Sequence, residues 1–181
     1  MMRHFILQVI LFLLLVSEGI ALDLLPASLT SSDTLIVPHW VFIFLLLIGL
    51  FFDTNDTFYS ILYGVIFGLL IDVVYTGVLG IYMFIYPFAL YVGHLLKRLL
   101  QTNIHMTMLI ALVTMIIIEV FLMFVFSIVG MVETTASNFI MRRLLPTLLA
   151  NLLFLIPVYL ISVKTLKTWG AKQAEKMYNE R

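Results

Sequence analysis

The residues of this chain that could do chemistry are a few charged and amide side chains set inside long apolar stretches. The candidates are Glu18, Asp72, Glu119, Arg143 and Asn151. A carboxylate in hydrocarbon is costly, so it usually binds a cation, carries a proton or pairs with an opposite charge. Each of these groups is therefore a candidate site, and its partner has to be identified.

One polar stripe is visible in the last apolar stretch, where Arg143, Thr147 and Asn151 recur every four residues and so share one face of a helix. Such a face lies against protein or water, because an unpaired arginine facing lipid is unfavourable. The available counter-ions are Asp72 and Glu119. Asp72 is favoured, because both it and Arg143 fall near the outer ends of their helices, and Glu119 is the alternative. We interpret the pair as a structural ion pair, with ligand binding, proton transfer and partner contact as the alternatives.

A second pattern consists of glycines. Gly64 and Gly68 precede Asp72 at four-residue spacing, which places all three on one helix face. In an apolar segment, small residues at this spacing let a neighbouring helix approach closely. We predict that Gly64 and Gly68, with Gly80 after the following turn, form a face on which a partner helix packs.

Motifs for catalysis and metal binding are missing from the sequence. The four histidines, at positions 4, 39, 94 and 105, lack metal-ligand spacing, and there is no HExxH, GxSxG or glycine-rich phosphate loop. The chain has no cysteine, which excludes disulfides and thiolate chemistry. Asp72 and Glu119 fall at different predicted depths and would not share a proton. The sequence therefore predicts a non-enzymatic protein without a cofactor or metal.

Composition places the protein in the membrane. The chain has 181 residues, of which 63% are hydrophobic and 11% are charged, and its mean hydropathy is +1.15. Soluble proteins carry about 25% charged residues. Since a membrane-spanning helix needs about 20 residues, this length allows roughly five to seven spans.

The apolar runs predict an all-α bundle of about six transmembrane helices. The first begins after Arg3 and is either a retained helix reaching Leu25 or a signal peptide cleaved near Gly19 and Ala21. Retention is favoured, because Glu18 is awkward beside a cleavage site. The other helices are expected at about 38–52, 58–74, 81–96, 104–129 and 139–163. Residues 1–163 are thus one transmembrane domain, and 164–181 a short basic tail.

Charge distribution predicts the orientation. An even number of spans puts both termini on one side, which holds Arg3, Lys97, Arg98 and the basic tail. The opposite side holds Arg142 and Arg143. Lys and Arg concentrate on the cytoplasmic side of membrane proteins, so both termini are expected in the cytoplasm.

Taken together, these residues resemble the MreD family of bacterial rod-shape-determining membrane proteins. The stretch GVIFGLLIDVVYTGVLGIYMF, residues 64–84, carries the family pattern at Gly68, Asp72, Leu79 and Gly80. Further matches are Ser17-Glu18, Val37-Pro38, Glu119, Arg143 with Pro146-Thr147, and Asn151. The resemblance covers essentially the whole chain.

The resemblance implies a non-enzymatic adaptor of the lateral cell-wall elongation machinery in the bacterial cell membrane. Its implied partners are the single-span scaffold MreC and, directly or through MreC, the actin-like MreB, RodA and the transpeptidase partner of RodA. The family is also similar in fold to the substrate-binding subunits of energy-coupling-factor transporters. The alternative function is therefore a small-molecule-binding subunit of an uptake transporter. Short loops and few polar side chains disfavour that alternative.

Overall fold

The computed structural model describes residues 2–24, 35–54, 57–100, 103–130 and 135–179. Within these ranges the chain forms six helices and no strand, which confirms the prediction of an all-α membrane protein. The first five are α1 (Met2–Leu24), α2 (Trp40–Phe52), α3 (Tyr59–Thr76), α4 (Ile81–Leu99) and α5 (Ile104–Ile128). The sixth, α6, consists of Ala136–Phe139, Ile140–Leu144 and Leu145–Asn179 in unbroken succession. Leu25 and the last two residues of the predicted tail lie outside the described ranges.

Three short segments inside these helices are π-helical. They are Ile48–Phe52 at the end of α2, Asp72–Thr76 at the end of α3, and Ile140–Leu144 near the start of α6. A π-helical turn holds more residues than an α-helical turn and changes which side chains face a neighbouring helix. Two of these segments contain polar residues singled out above, Asp72 and Arg143.

Four helical segments are long and apolar enough to cross a membrane: Met2–Ala21, Tyr59–Thr76, Ile104–Ile128 and Ala136–Lys176. The helix Trp40–Phe52 is apolar but shorter. At about 1.5 Å per residue it is about 20 Å long, against a hydrocarbon thickness of about 30 Å. His39 and Asp53, which flank the helix, are 0% and 4% exposed, so protein surrounds both ends of α2.

The core of the bundle is α2 itself. Every residue from Val41 to Phe52 is buried, because α1, α3, α4 and α6 all pack around this helix. A helix that is hydrophobic on all sides is expected at the centre of a bundle. Pro38 lies just outside the helix rather than opening it as expected, since the helix begins at Trp40 with His39 as its N-cap.

The glycine face of α3 packs against α4 of the same chain. A Cβ atom on Gly68 would lie 2.5 Å from the carbonyl oxygen of Tyr82, and one on Gly64 would lie 2.7 Å from Leu90 Cδ1. This corrects the expectation that a partner helix occupies the face, because α4 already fills it. Gly80 has a φ of 100° in the turn that starts α4, a conformation that favours glycine.

Polar groups at the C-terminal end of α2 bind the last carbonyl groups of this helix and the first N–H groups of α3. Asp53 accepts hydrogen bonds from the backbone N–H groups of Tyr59 (3.2 Å) and Ser60 (2.9 Å). Lys97 Nζ donates to the carbonyl oxygens of Gly49 (3.0 Å) and Asp53 (2.9 Å). A cation at a helix C-terminus stabilises the exposed carbonyls and the helix dipole. These bonds satisfy backbone groups that lipid could not.

His94 belongs to the same cluster. Its Nε2 atom lies 3.1 Å from Ser60 Oγ and 3.5 Å from Asp53 Oδ2. A catalytic serine–histidine–aspartate triad uses opposite nitrogens of the imidazole ring for its two partners. Because both partners here contact the same nitrogen, the cluster is structural.

The end of α6 packs back onto the bundle. Leu166 is 2% exposed, and a Cβ atom on Gly170 would lie 2.8 Å from the carbonyl oxygen of Phe51. Arg3 Nη1 donates to the carbonyl oxygen of Trp169 at 3.3 Å. The N-terminus of α1 and the last third of α6 therefore lie at the same end of the bundle. The helix runs through residue 164 without a break, so the expected domain and tail share one helix.

The fit of α4 against α3 predicts the effect of one added methyl group. Gly68→Ala should lower the free energy of unfolding by about 1–3 kcal/mol, because the methyl group meets backbone atoms that cannot move aside. Gly64→Ala is the matched control, since its methyl group meets the flexible end of Leu90. Unfolding in mixed detergent micelles measures both changes. Equal losses for the two variants would contradict the close backbone contact at Gly68.

Candidate functional site

The candidate site begins with a non-helical segment, residues 35–39, which leads into α2 alongside α6. Thr147 Oγ1 accepts a hydrogen bond from the Val37 N–H at 3.1 Å. Asn151 donates from Nδ2 to the Val37 carbonyl oxygen at 2.8 Å and accepts at Oδ1 from the His39 N–H at 2.7 Å. Irregular backbone at membrane depth is tolerated only where protein satisfies its polar groups. The predicted polar stripe of α6 therefore holds the entrance to α2.

The centre of the site is Glu119, whose side chain is fully buried near the middle of α5. Arg143 Nε donates to Glu119 Oε2 at 2.7 Å, and His39 Nε2 lies 2.8 Å from Glu119 Oε1. The other ring nitrogen of His39 lies 3.1 Å from the hydroxyl of Tyr86. A neutral His39 satisfies both contacts if Nε2–H donates to the carboxylate and the Tyr86 hydroxyl donates to Nδ1. Glu119 thus joins α5 to α6 and to the segment before α2, and His39 extends the network to α4.

Asp72 has a different role from the one expected. Its Oδ2 atom accepts from the backbone N–H groups of Gly80 (2.9 Å) and Met83 (3.1 Å), and Oδ1 accepts from Tyr82 N–H (2.9 Å). These are the unpaired donors of the first turn of α4. A buried carboxylate at a helix N-terminus is stabilised by such bonds and by the helix dipole. Asp72 therefore fixes the start of α4 on the end of α3.

These contacts correct the expected pairing of Asp72 with Arg143. Arg143 binds Glu119, the alternative named from the sequence, and Asp72 is satisfied by backbone N–H groups. Sequence analysis missed His39 and Tyr86 as members of the site. One feature of the sequence could have indicated His39: it is a titratable residue directly before a continuous apolar run.

Glu18 lies at the start of α2, next to this network, and its carboxyl group accepts hydrogen bonds from the backbone N–H groups of Trp40 and Val41. Its side chain is 5% exposed and lines a small cavity together with Tyr75, Tyr82 and Tyr86. Among the described residues, its Oε1 atom has no hydrogen-bond partner. The five predicted residues therefore divide into three arrangements: the network of Glu119, Arg143 and Asn151; the helix cap of Asp72; and the cavity of Glu18. No group of three or more metal-ligating side chains occurs in the part of the chain that the structure describes.

The Glu119–Arg143 contact predicts energetic coupling. Glu119→Gln and Arg143→Gln should each destabilise the bundle, because each leaves a buried charged group without its counter-ion. A double-mutant cycle for this pair should give a coupling free energy above about 0.5 kcal/mol. The measurement is unfolding in mixed micelles for the two single variants and the double variant.

The matched control replaces Asp72 instead of Glu119. Asp72→Asn and Arg143→Gln share no contact, so their effects should add within about 0.5 kcal/mol. Coupling between Asp72 and Arg143, with additivity between Glu119 and Arg143, would reverse the assignment of the ion pair.

Two comparisons with known proteins match most of the chain to the same family. The family model described as rod shape-determining protein MreD matches residues 3–168. The rod shape-determining protein MreD of Bacillus subtilis (strain 168) is 28% identical over 151 residues, which cover 83% of this chain and 86% of that protein. No solved structure matches the chain, so the expected likeness to energy-coupling-factor subunits stays a prediction. Because the family match extends over nearly the entire sequence and agrees with the apolar helices, this chain belongs to the MreD family of rod shape-determining membrane proteins.

Proposed function

We propose that this protein is a non-enzymatic membrane adaptor of the lateral peptidoglycan-elongation complex. It binds an MreC-like single-span scaffold by helix packing. Through this scaffold or directly, it associates with MreB-like filaments, RodA and the transpeptidase partner of RodA. Family membership supports a role in cell shape. The contacts made by Glu119 and Asp72 support a structural reading of the buried charges, since both carboxylates are occupied by groups of the same chain.

The observation that carries this proposal is an apolar groove between α1 and α6. The groove has a volume of about 300 Å³. Phe44 of the central helix forms part of its lining, together with Leu7 and Leu14 of α1 and Ser162 and Thr165 of α6. Small side chains such as Ser162 allow a transmembrane helix to approach closely. This groove replaces the glycine face of α3 as the proposed docking surface, since α4 covers that face.

Two cavities formed by the described residues are poor sites for the alternative function, small-molecule uptake. Pockets for small molecules usually enclose about 300–1,000 Å³ and carry a few convergent polar groups. The cavity at Glu18 measures about 90 Å³. A second groove, of about 330 Å³, lies between α1 and α3 and is lined by side chains such as Phe12, Leu13 and Ile66. The first cavity is too small for a vitamin-sized ligand, and the second has an apolar lining that offers few partners to a polar one.

The proposed orientation places both termini in the cytoplasm. The Arg3–Trp169 contact puts the start of α1 and the end of α6 at one end of the bundle. That end also holds Lys97, which binds the carbonyl groups that end α2. Basic residues favour the cytoplasmic side. Green fluorescent protein fused after residue 181 should therefore fluoresce, and alkaline phosphatase fused there should be inactive. The opposite pair of results would invert the orientation.

The docking surface is tested by filling the groove. Ser162→Leu should reduce copurification of a single-span scaffold from mild detergent and should fail to restore rod shape in cells depleted of the wild-type protein. Ser127→Leu is the matched control, because Ser127 is exposed on α5, away from the groove. Membrane levels of both variants are measured by immunoblotting.

Undiminished copurification by Ser162→Leu, at equal membrane level, would remove the groove as the docking surface. Depletion that rounds the cells supports the adaptor function. Depletion that leaves the rods intact but creates a requirement for a supplied nutrient would instead support the transporter.

A further inference from the structure

A cavity of about 90 Å³ lies where the last turns of α1 meet α3 and α4. Its lining combines the Glu18 side chain with the aromatic side chains of Tyr75, Tyr82 and Tyr86, and with Thr76. The mechanism proposed above uses neither this space nor the Glu18 carboxylate. The combination of one acid and several tyrosine rings in a small space is the chemistry that recognises an organic cation.

Glu18 is the only side chain of this cavity whose buried polar atom lacks a hydrogen bond within the described residues. The side chain is 5% exposed, so water reaches it poorly. An ionised carboxylate with an unpaired oxygen in such a place is costly, and a cation held against that oxygen would offset the cost.

The neighbouring polar groups are already occupied. Glu119 is bound by Arg143 and His39, and Asp72 by three backbone N–H groups. The Tyr86 hydroxyl contacts His39, and the Tyr75 hydroxyl donates to the Leu15 carbonyl oxygen at 2.7 Å. Thr76 Oγ1 donates to backbone carbonyl oxygens of its own turn. The Glu18 carboxyl group accepts hydrogen bonds from the backbone N–H groups of Trp40 and Val41, and its Oε1 atom is left as the acceptor that a ligand in the cavity can use.

The geometry points to a primary ammonium group as the ligand, and we propose that Glu18 and its tyrosines bind one. A cavity of about 90 Å³ has room for a group of only a few non-hydrogen atoms. An ethylammonium unit has one nitrogen and two carbons, and its N–H groups can donate to the carboxylate. A trimethylammonium group is bulkier and has no N–H to donate. This inference does not rest on the proposed function.

The position of the cavity favours a membrane source for the amine. Glu18 precedes Ala21, the last residue of the first candidate span, by three residues, which is about 5 Å along the helix. Tyr75, 43% exposed, lies at the cavity surface across Gly19, where an added Cβ atom would meet its hydroxyl at 2.6 Å. An ethanolamine headgroup lies at this depth of a bilayer. A free small amine presents the same ammonium group.

The experiment uses the full-length protein in nanodiscs that contain equal amounts of phosphatidylethanolamine, phosphatidylcholine and phosphatidylglycerol. Native mass spectrometry after release should show one retained phosphatidylethanolamine. In Glu18→Gln, which keeps the side-chain shape and removes the charge, this retention should fall at least about tenfold, as expected for the loss of one ion pair. Glu175→Gln removes an exposed carboxylate near the C-terminal end of α6, away from the cavity. This variant should leave retention unchanged.

A second arm separates the two sources of the amine and needs no variant. Delipidated wild-type protein in detergent is titrated with ethylammonium chloride and, separately, with tetramethylammonium chloride. An increase in melting temperature with ethylammonium alone supports the site. If in addition no lipid is retained, the ligand is a free amine. Equal responses to both salts, together with lipid retention that is unselective or unchanged in Glu18→Gln, would overturn the proposal and leave a protonated Glu18 facing water.

Discussion

The structure depends on the burial of one helix that is too short to cross the membrane. Because α2 is enclosed on all sides, its two ends meet protein instead of headgroups, and their backbone groups need partners inside the bundle. At the start of α2, Thr147 and Asn151 bind the extended residues that lead into it. At the end, Lys97 binds its last carbonyl groups. Thr147, Asn151 and Lys97 therefore all serve the ends of a single helix.

The same constraint explains why two clusters of charged residues lie at the ends of α2. Glu119 is reached by His39, which immediately precedes α2, and by Arg143, one turn before the residues that bind the entrance of α2. Asp53 follows α2 directly and starts α3. Each cluster joins the end of α2 to its neighbours, and each satisfies its own charges. In such an arrangement the buried ion pairs fix the relative positions of the helices, which agrees with the structural role proposed for the protein.

Much of the fold follows from local sequence. The order of the six helices comes from apolar run length, and the polar face of α6 comes from the four-residue spacing of Arg143, Thr147 and Asn151. The pairing of these residues does not follow from local sequence. Asp72 shares a stripe with Gly64 and Gly68, yet it lies at the start of a π-helical segment and its carboxylate reaches the next helix. Arg143 also lies in a π-helical segment. The prediction compared Asp72 and Arg143 by depth alone and did not account for the unpaired N–H groups at the start of α4, which bind Asp72.

The length of α6 has a consequence for the proposed docking surface. Its segment Leu145–Asn179 has 35 residues, or about 52 Å, and the hydrocarbon is about 30 Å thick. Pro157 lies inside it, and a proline removes one backbone hydrogen bond from the helix. The adjacent Val158 lines the groove beside α1. A helix docked in the proposed groove would therefore contact α6 at the turn that lacks this hydrogen bond.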